Sequence, residues 1–177
     1  MNAREQLIEQ VLVLRCQIGD REALAELIGR YEKPMRYFVS RLLEDSEKTE
    51  DMLQDIWLAV VRKICTLKKA DAFSMWLYRI ARNRVYKELR SKRQFTELDE
   101  KIEAANSGAD SVFSVEDAAR VHRCLERLRS EHKEVLLLRF LEQMPYEQIS
   151  QIIGCKVGTV RSRIYYAKRA LKREMEE

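Results

Sequence analysis

Between Val157 and Arg173 the chain carries six basic residues and no acidic one, a composition suited to a polyanion. If Val160 turns toward a core, Ser162 and Arg169 lie nearly opposite it, flanked by Gly158, Thr159, Arg161, Tyr165 and Tyr166. Arginines such as Arg161, Arg163 and Arg169 can each offer two donors to the acceptors on a guanine edge, whereas Thr159, Ser162 and Lys168 suit phosphate. A second basic run, from Tyr78 to Arg93, holds Arg79, Arg82, Arg84, Lys87, Arg90, Lys92 and Arg93 against the single acid Glu88. The third set is acidic and polar. Asp51, Gln54 and Asp55 recur at spacings of three and four, so they project from one side of a helix while Leu53, Ile56 and Trp57 lie largely to the other.

These sets imply binding rather than bond making. The chain contains no Gly-rich phosphate loop, no nucleophile paired with a base and no carboxylate pair in a metal motif. Cys16, Cys65, Cys124 and Cys155 are scattered, and His122 and His132 have no partner at ligand spacing, so reduced thiols and no metal or other cofactor are expected. No stretch approaches the roughly 20 apolar residues that span a bilayer, and the first residues lack a basic segment followed by an apolar one, so a cytoplasmic location is expected.

Positioning such residues calls for helices. With 46% hydrophobic and 35% charged residues but only 5 Gly and 2 Pro, the 177-residue chain reads as all-α, in two small helical domains. Glu5 to Ile18 should form the first helix, with Leu7, Ile8, Val11, Leu12 and Leu14 on its apolar side and Gly19 as its stop. Asp20 can cap a second helix to about Glu32, Pro34 restarts the chain toward Leu43, and a further helix follows over Lys48 to Ile64. Phe73 to Arg93 reads as a long helix with Trp76, Leu77, Ile80, Ala81, Val85 and Leu89 inward and a basic opposite face. Residues 94–115 lose periodicity and are acidic, which suits a flexible linker between a first domain at 1–93 and a second at 116–177. In the second domain, helices are expected near Glu116 to Leu128, around Val135 to Phe140, over Tyr146 to Ile153, and over Val157 to Met175 with Val157, Val160, Ile164, Ala167 and Leu171 as one seam.

A short amphipathic helix, a tight turn at Gly154 and a longer basic helix make a helix-turn-helix, whose second helix enters the major groove. The segment Leu128 to Leu171, with Glu134-Val-Leu-Leu-Leu-Arg139, Tyr146-Glu-x-Ile, Ile153-Gly154 and Val157-Gly-Thr-Val-Arg-Ser-Arg163, resembles region 4 of extracytoplasmic-function sigma factors. In the first domain, Thr49-Glu-Asp-Met-Leu-Gln-Asp-Ile-Trp57 is similar to region 2.2 of that family, and Phe73-Ser-Met-Trp-Leu-Tyr-Arg-Ile-Ala-Arg-Asn83 to regions 2.3 and 2.4. Gly19-Asp-Arg-Glu-Ala-Leu-Ala-Glu-Leu27 matches the family's opening.

The resemblance implies a promoter-recognition subunit of RNA polymerase that is not itself an enzyme. It implies that Asp51, Gln54 and Asp55 dock on the clamp helices of the polymerase β′ subunit, and that the β subunit of core RNA polymerase is also a partner. Lys69, Ala70, Asp71, Ala72 and Phe73 match the segment that holds one base flipped out of the −10 strand, with Asp71 able to accept from an exocyclic amine. Arg79, Arg82, Asn83 and Arg84 would follow that strand, and the last helix would read the −35 duplex of the promoter DNA. In the family the linker also runs through the polymerase active-site cleft, and an anti-sigma factor, often membrane-bound, covers the domains. Two departures stand out: Lys87 replaces a common acid, and Tyr166 replaces a common arginine beside the recognition face. The competing readings are a conventional helix-turn-helix regulator with a sensing domain, which needs no polymerase-binding stripe and no strand reader, and a protein-binding helical adaptor, which leaves the six basic residues of the last helix unexplained.

Overall fold

The computed structural model describes residues 3–96 and 115–176, with side chains described over 3–91 and 120–176. The expected linker therefore lies almost wholly outside the described residues. Two helical lobes are seen, each built because no single amphipathic helix can bury its stripe alone.

The first lobe contains α1 (Ala3–Gln17), α2 (Arg21–Leu43), α3 (Ser46–Lys63) and α4 (Phe73–Thr96), with short 3-10 turns at Ile64–Thr66 and Ala70–Ala72. Local chemistry marks the boundaries. Gly19 adopts φ 90°, which only glycine takes without strain, and ends α1. The Asp20 carboxylate then accepts from the backbone N–H groups of Glu22 at 2.9 Å and Ala23 at 3.1 Å, starting α2. Asp45 does the same for α3 through the Lys48 N–H, two residues earlier than the expected start.

Two expectations are corrected. Pro34 does not restart the chain: α2 runs unbroken from Arg21 to Leu43. An interior proline costs about 3 kcal/mol, but burial of Met35, Phe38 and Val39 just beyond it contributes roughly 1.5–3 kcal/mol each, so packing wins. In α1 the buried residues are Glu9, Leu12, Val13 and Cys16, while Leu7, Val11 and Leu14 are 61%, 48% and 55% exposed. This helix is apolar on two sides, so periodicity cannot select which one faces the bundle.

The second lobe comprises α5 (Val115–Glu126), α6 (Ser130–Leu136), α7 (Tyr146–Ile153) and α8 (Val157–Glu176). After α6 the chain widens into a π-helical turn over Leu137–Leu141, and Phe140, expected to mark the helix, is half exposed. The seam of α8 is seen: Val160, Ile164 and Ala167 are buried with Ile149, Ile152 and Ile153 of α7.

The lobes are in contact, with α4 packed against α7 and α2 against α6. Tyr78, which was not among the expected inward residues of α4, is fully buried, its ring edge-on to Phe38 at 5.1 Å. No described helix is long and apolar enough to cross a membrane.

Candidate nucleic-acid interface

The helix-turn-helix is positioned by its turn. Gly154 closes α7 at φ 70°, its N–H bonded to the Ser150 carbonyl at 2.9 Å, and α8 begins three residues later. With Val160, Ile164 and Ala167 inward, Gly158, Thr159, Arg161, Ser162, Tyr165, Tyr166, Lys168 and Arg169 are all exposed on the outer side. Arg161 has no protein partner among the described residues and is free to reach a base edge. Ser162 already donates to the Thr159 carbonyl at 3.0 Å, leaving its oxygen as an acceptor. Arg163 is drawn aside, half-buried, toward Glu131 at 3.8 Å. Tyr165 and Tyr166 meet edge to face at 5.4 Å, and the Arg169 guanidinium lies 5.8 Å from the Tyr165 ring centre. Lys168 stands over the exposed Phe140 ring at 4.8 Å, which holds its ammonium at one end of the face.

On the first lobe, Asp51, Gln54 and Asp55 are exposed together on α3. Asp55 accepts from Arg84 Nη1 of α4 at 2.9 Å. That exposed pair is worth only about 0.2–1 kcal/mol, so a competing partner can take it. Beside Gln54 a groove of about 410 Å³ opens between α2 and α3, lined by Ile28, Leu53, Trp57 and Leu58.

The base-capture loop is a single 3-10 turn at Ala70–Ala72. Lys69 and Asp71 are exposed and Ala72 is half-buried, whereas Phe73 is fully buried, its ring 5.5 Å from Tyr31 in an edge arrangement. Phe73 therefore anchors the loop to the core. Along α4, Arg79 and Asn83, one turn apart, are exposed, while Arg84 turns to Asp55.

Arg82 faces the second lobe, where its Nε donates to Glu134 at 2.7 Å. Tyr86 donates its hydroxyl to the other Glu134 oxygen at 3.0 Å, with the Arg82 guanidinium 4.5 Å over its ring. Burial pushes the Glu134 carboxyl up from its ordinary range, and the Arg82 charge and the Tyr86 hydroxyl pull it back in part. Burial also raises the Tyr86 and Tyr78 phenols, so both stay neutral. Sequence reasoning gave Glu134 no role. The available signal was an acid standing directly before the apolar run Val135 to Leu138, where an unpaired charge would be costly.

Among the described residues no cluster of His, Cys, Asp or Glu could hold a metal ion. The cysteines Cys16, Cys65, Cys124 and Cys155 are free.

The chain is matched by two family models, "Sigma-70 region 2" over residues 27–95 and "Sigma-70, region 4" over residues 118–171. It is 32% identical to the ECF RNA polymerase sigma-E factor of Escherichia coli, over 97% of this chain and 96% of that one. It is 30% identical to the RNA polymerase sigma-H factor of Pseudomonas aeruginosa, over 95% of this chain and 94% of the other. Among solved structures, it superposes on the sigma factor RpoE of Bartonella quintana, solved with the anti-sigma factor NepR, with a TM-score of 0.76 at 22% identity. That match covers 86% of this chain and 96% of the other. CnrH, solved with the cytosolic domain of CnrY, gives 0.72 at 19% identity, over 96% and 97% of the two chains. The structural matches support the fold. With region 2 and region 4 in order on one chain, and relatives at 30% and 32% identity along nearly its whole length, this protein belongs to the sigma-70 family of RNA polymerase sigma factors, in its extracytoplasmic-function group.

Proposed function

We propose that the two lobes divide promoter recognition between them, the first docking on core RNA polymerase and capturing the melted −10 strand, the second reading the −35 duplex. As a sigma factor the chain is a non-enzymatic initiation factor that directs transcription. The observation that carries the division of labour is the separation of exposed charge. Asp51, Gln54 and Asp55 form an acidic and polar ridge on α3, and Arg161, Lys168 and Arg169 stand on a basic face of α8 in the other lobe.

The ridge supplies acceptors for a basic partner helix, and the groove beside Gln54 can receive one of its apolar side chains. Lys69, Asp71 and Ala72 would form the rim of a base pocket braced by buried Phe73, with Arg79 and Asn83 along the departing strand. On α8, Thr159 and Lys168 would hold phosphates while Arg161 reads a base, and Ser162 would join them by turning its hydroxyl away from the Thr159 carbonyl. Domain limits of 1–93 and 116–177, joined by residues 94–115, fit this arrangement. The site of action would be the cytoplasm, and an anti-sigma factor held at the membrane is the expected inhibitor; RpoE and CnrH were each solved with a bound partner.

The test replaces Asp51, Gln54 and Asp55 together by alanine in the full chain. Co-purification with core polymerase and transcription from a promoter template should both be lost, while binding to −35 duplex persists. Retained polymerase binding would refute the docking role of the ridge.

A further inference from the structure

The side of α1 that stays out of the bundle is apolar. Leu7, Val11 and Leu14 are each about half exposed or more, and Ile18, the residue after the helix, is 85% exposed. Spacings of four, three and four set these residues in one stripe. A contiguous bare apolar stripe on a soluble domain marks an interaction surface.

Their order carries more than hydrophobicity. Leu7 and Leu14 repeat at an interval of seven, as do Val11 and Ile18, and the two sets interleave. Leucine at one core position of a heptad with a β-branched residue at the other is the combination that pairs two parallel helices. Ile8, Gln10, Arg15 and Gln17 flank the seam, and two of them are engaged within their own chain. Arg15 Nε donates to Asp20 at 2.8 Å, and Gln17 Nε2 donates to the Ile64 and Leu67 carbonyls at 2.9 Å and 2.8 Å. Glu9, the one acid between Leu7 and Ile18, is buried. A symmetric contact sets each group near its own copy, so it requires this lack of uncompensated charge, whereas a charged partner would find little to pair with. A lipid surface fits less well, because a helix lying in it needs a basic polar face opposite the apolar one, and the opposite side of α1 packs Leu12 and Val13 into the bundle.

We infer that α1 is a self-association surface, on which two copies of the chain pair in parallel along Leu7, Val11, Leu14 and Ile18. Arg4 holds the next core position toward the N-terminus and there meets its own copy; a polar residue at one such position fixes register at a cost in stability. The contact buries on the order of 1,000 Å² in total, at the low end of interface sizes, so the dimer is weak and reversible. The ridge on α3 and the basic face of α8 take no part in it.

The experiment is sedimentation velocity on the full chain, from micromolar to near-millimolar concentration, and the wild type should pass from monomer to dimer across the series. Leu14→Glu changes an exposed side chain and should weaken pairing about a hundredfold, while Arg4→Leu extends the apolar seam and should strengthen it about tenfold. Leu141→Glu, which replaces a comparably exposed leucine of the second lobe, should leave pairing unchanged. Circular dichroism checks that each variant keeps the wild-type helicity. Transcription from a promoter template with core polymerase should be unaffected by Leu14→Glu, so pairing and promoter recognition are tested apart. A wild type that stays monomeric throughout would overturn the inference, as would equal weakening by Leu141→Glu. An Arg4→Leu variant that pairs no more tightly than the wild type would overturn the parallel register. Binding of a monomeric wild type to phosphatidylglycerol vesicles, lost in Leu14→Glu, would give the face to a lipid surface instead, and loss of core polymerase binding in Leu14→Glu would give it to the polymerase.

Discussion

Arg82 and Glu134 stand 52 residues apart in the sequence, yet Arg82 Nε donates to the Glu134 carboxylate at 2.7 Å across the junction of the lobes. The Glu134 side chain is fully enclosed, whereas Arg82 retains 19% exposure. An enclosed carboxylate with this partner is tolerated; without it, the same group is a buried charge.

Arg82→Gln should therefore weaken the junction by about 1–3 kcal/mol, less than the roughly 3–5 kcal/mol for breaking a fully buried pair, because the lobes can part and let water reach Glu134. In urea the wild type should unfold with the lobes coupled, and the variant should show two separated transitions followed by circular dichroism and tryptophan fluorescence. Coincident transitions in the variant would count against the coupling.

Inside the first lobe a different acid is buried. Glu9, 4% exposed, accepts from the Tyr31 hydroxyl at 2.5 Å, and burial pushes its carboxyl above the ordinary 4.5. The folded chain thus takes up this proton at a higher pH than the unfolded chain, so stability is gained as pH falls through the folded value toward 4.5. Glu9→Gln keeps an acceptor for Tyr31 and carries no charge. It should match or exceed the wild type in melting temperature near neutral pH, and lose ground to it as the pH falls toward the ordinary carboxyl value of 4.5. A constant difference across that range would mean that Glu9 titrates normally.

Gly154 sets the angle between α7 and α8 at φ 70°, and an added Cβ there would meet nothing within 4 Å. Gly154→Ala should consequently cost only the left-handed strain, about 1–2 kcal/mol, seen as a lower melting temperature with −35 binding retained. A loss of several times that amount would reveal a steric role instead.

On the recognition face, Arg161→Ala should weaken −35 binding by about 1–3 kcal/mol and relax preference at one base position. Ser162→Ala should cost less, because the Ser162 hydroxyl already donates within its own helix at 3.0 Å. Selection from random duplexes reads both; an unchanged base preference in the Arg161 variant would retire its base-reading role.

The elements themselves were legible because they are written in local chemistry. Asp20, Asp45 and Gly154 satisfy or release backbone groups a few residues away, and the seam of Val160, Ile164 and Ala167 follows the helical period. The exposed triads on α3 and α8 follow from the same period, as the complement of those buried seams. Pro34 and the exposed Leu7, Val11 and Leu14 show where local rules end: the first is overruled by the packing around it, and α1 has two apolar sides from which only its neighbours select.

What the chain's order of residues determined by itself is therefore the helices, their caps and the chemistry of their outer faces, since each depends on neighbours within one or two turns. Only the tertiary structure decided that the second lobe lies on α4, that Glu134 and Arg82 neutralise each other, and that Tyr78 is covered while Tyr86 is half-buried. Those outcomes depend on desolvating charges contributed from far along the chain, and the cost of a buried charge is known only once the group that compensates it is in place.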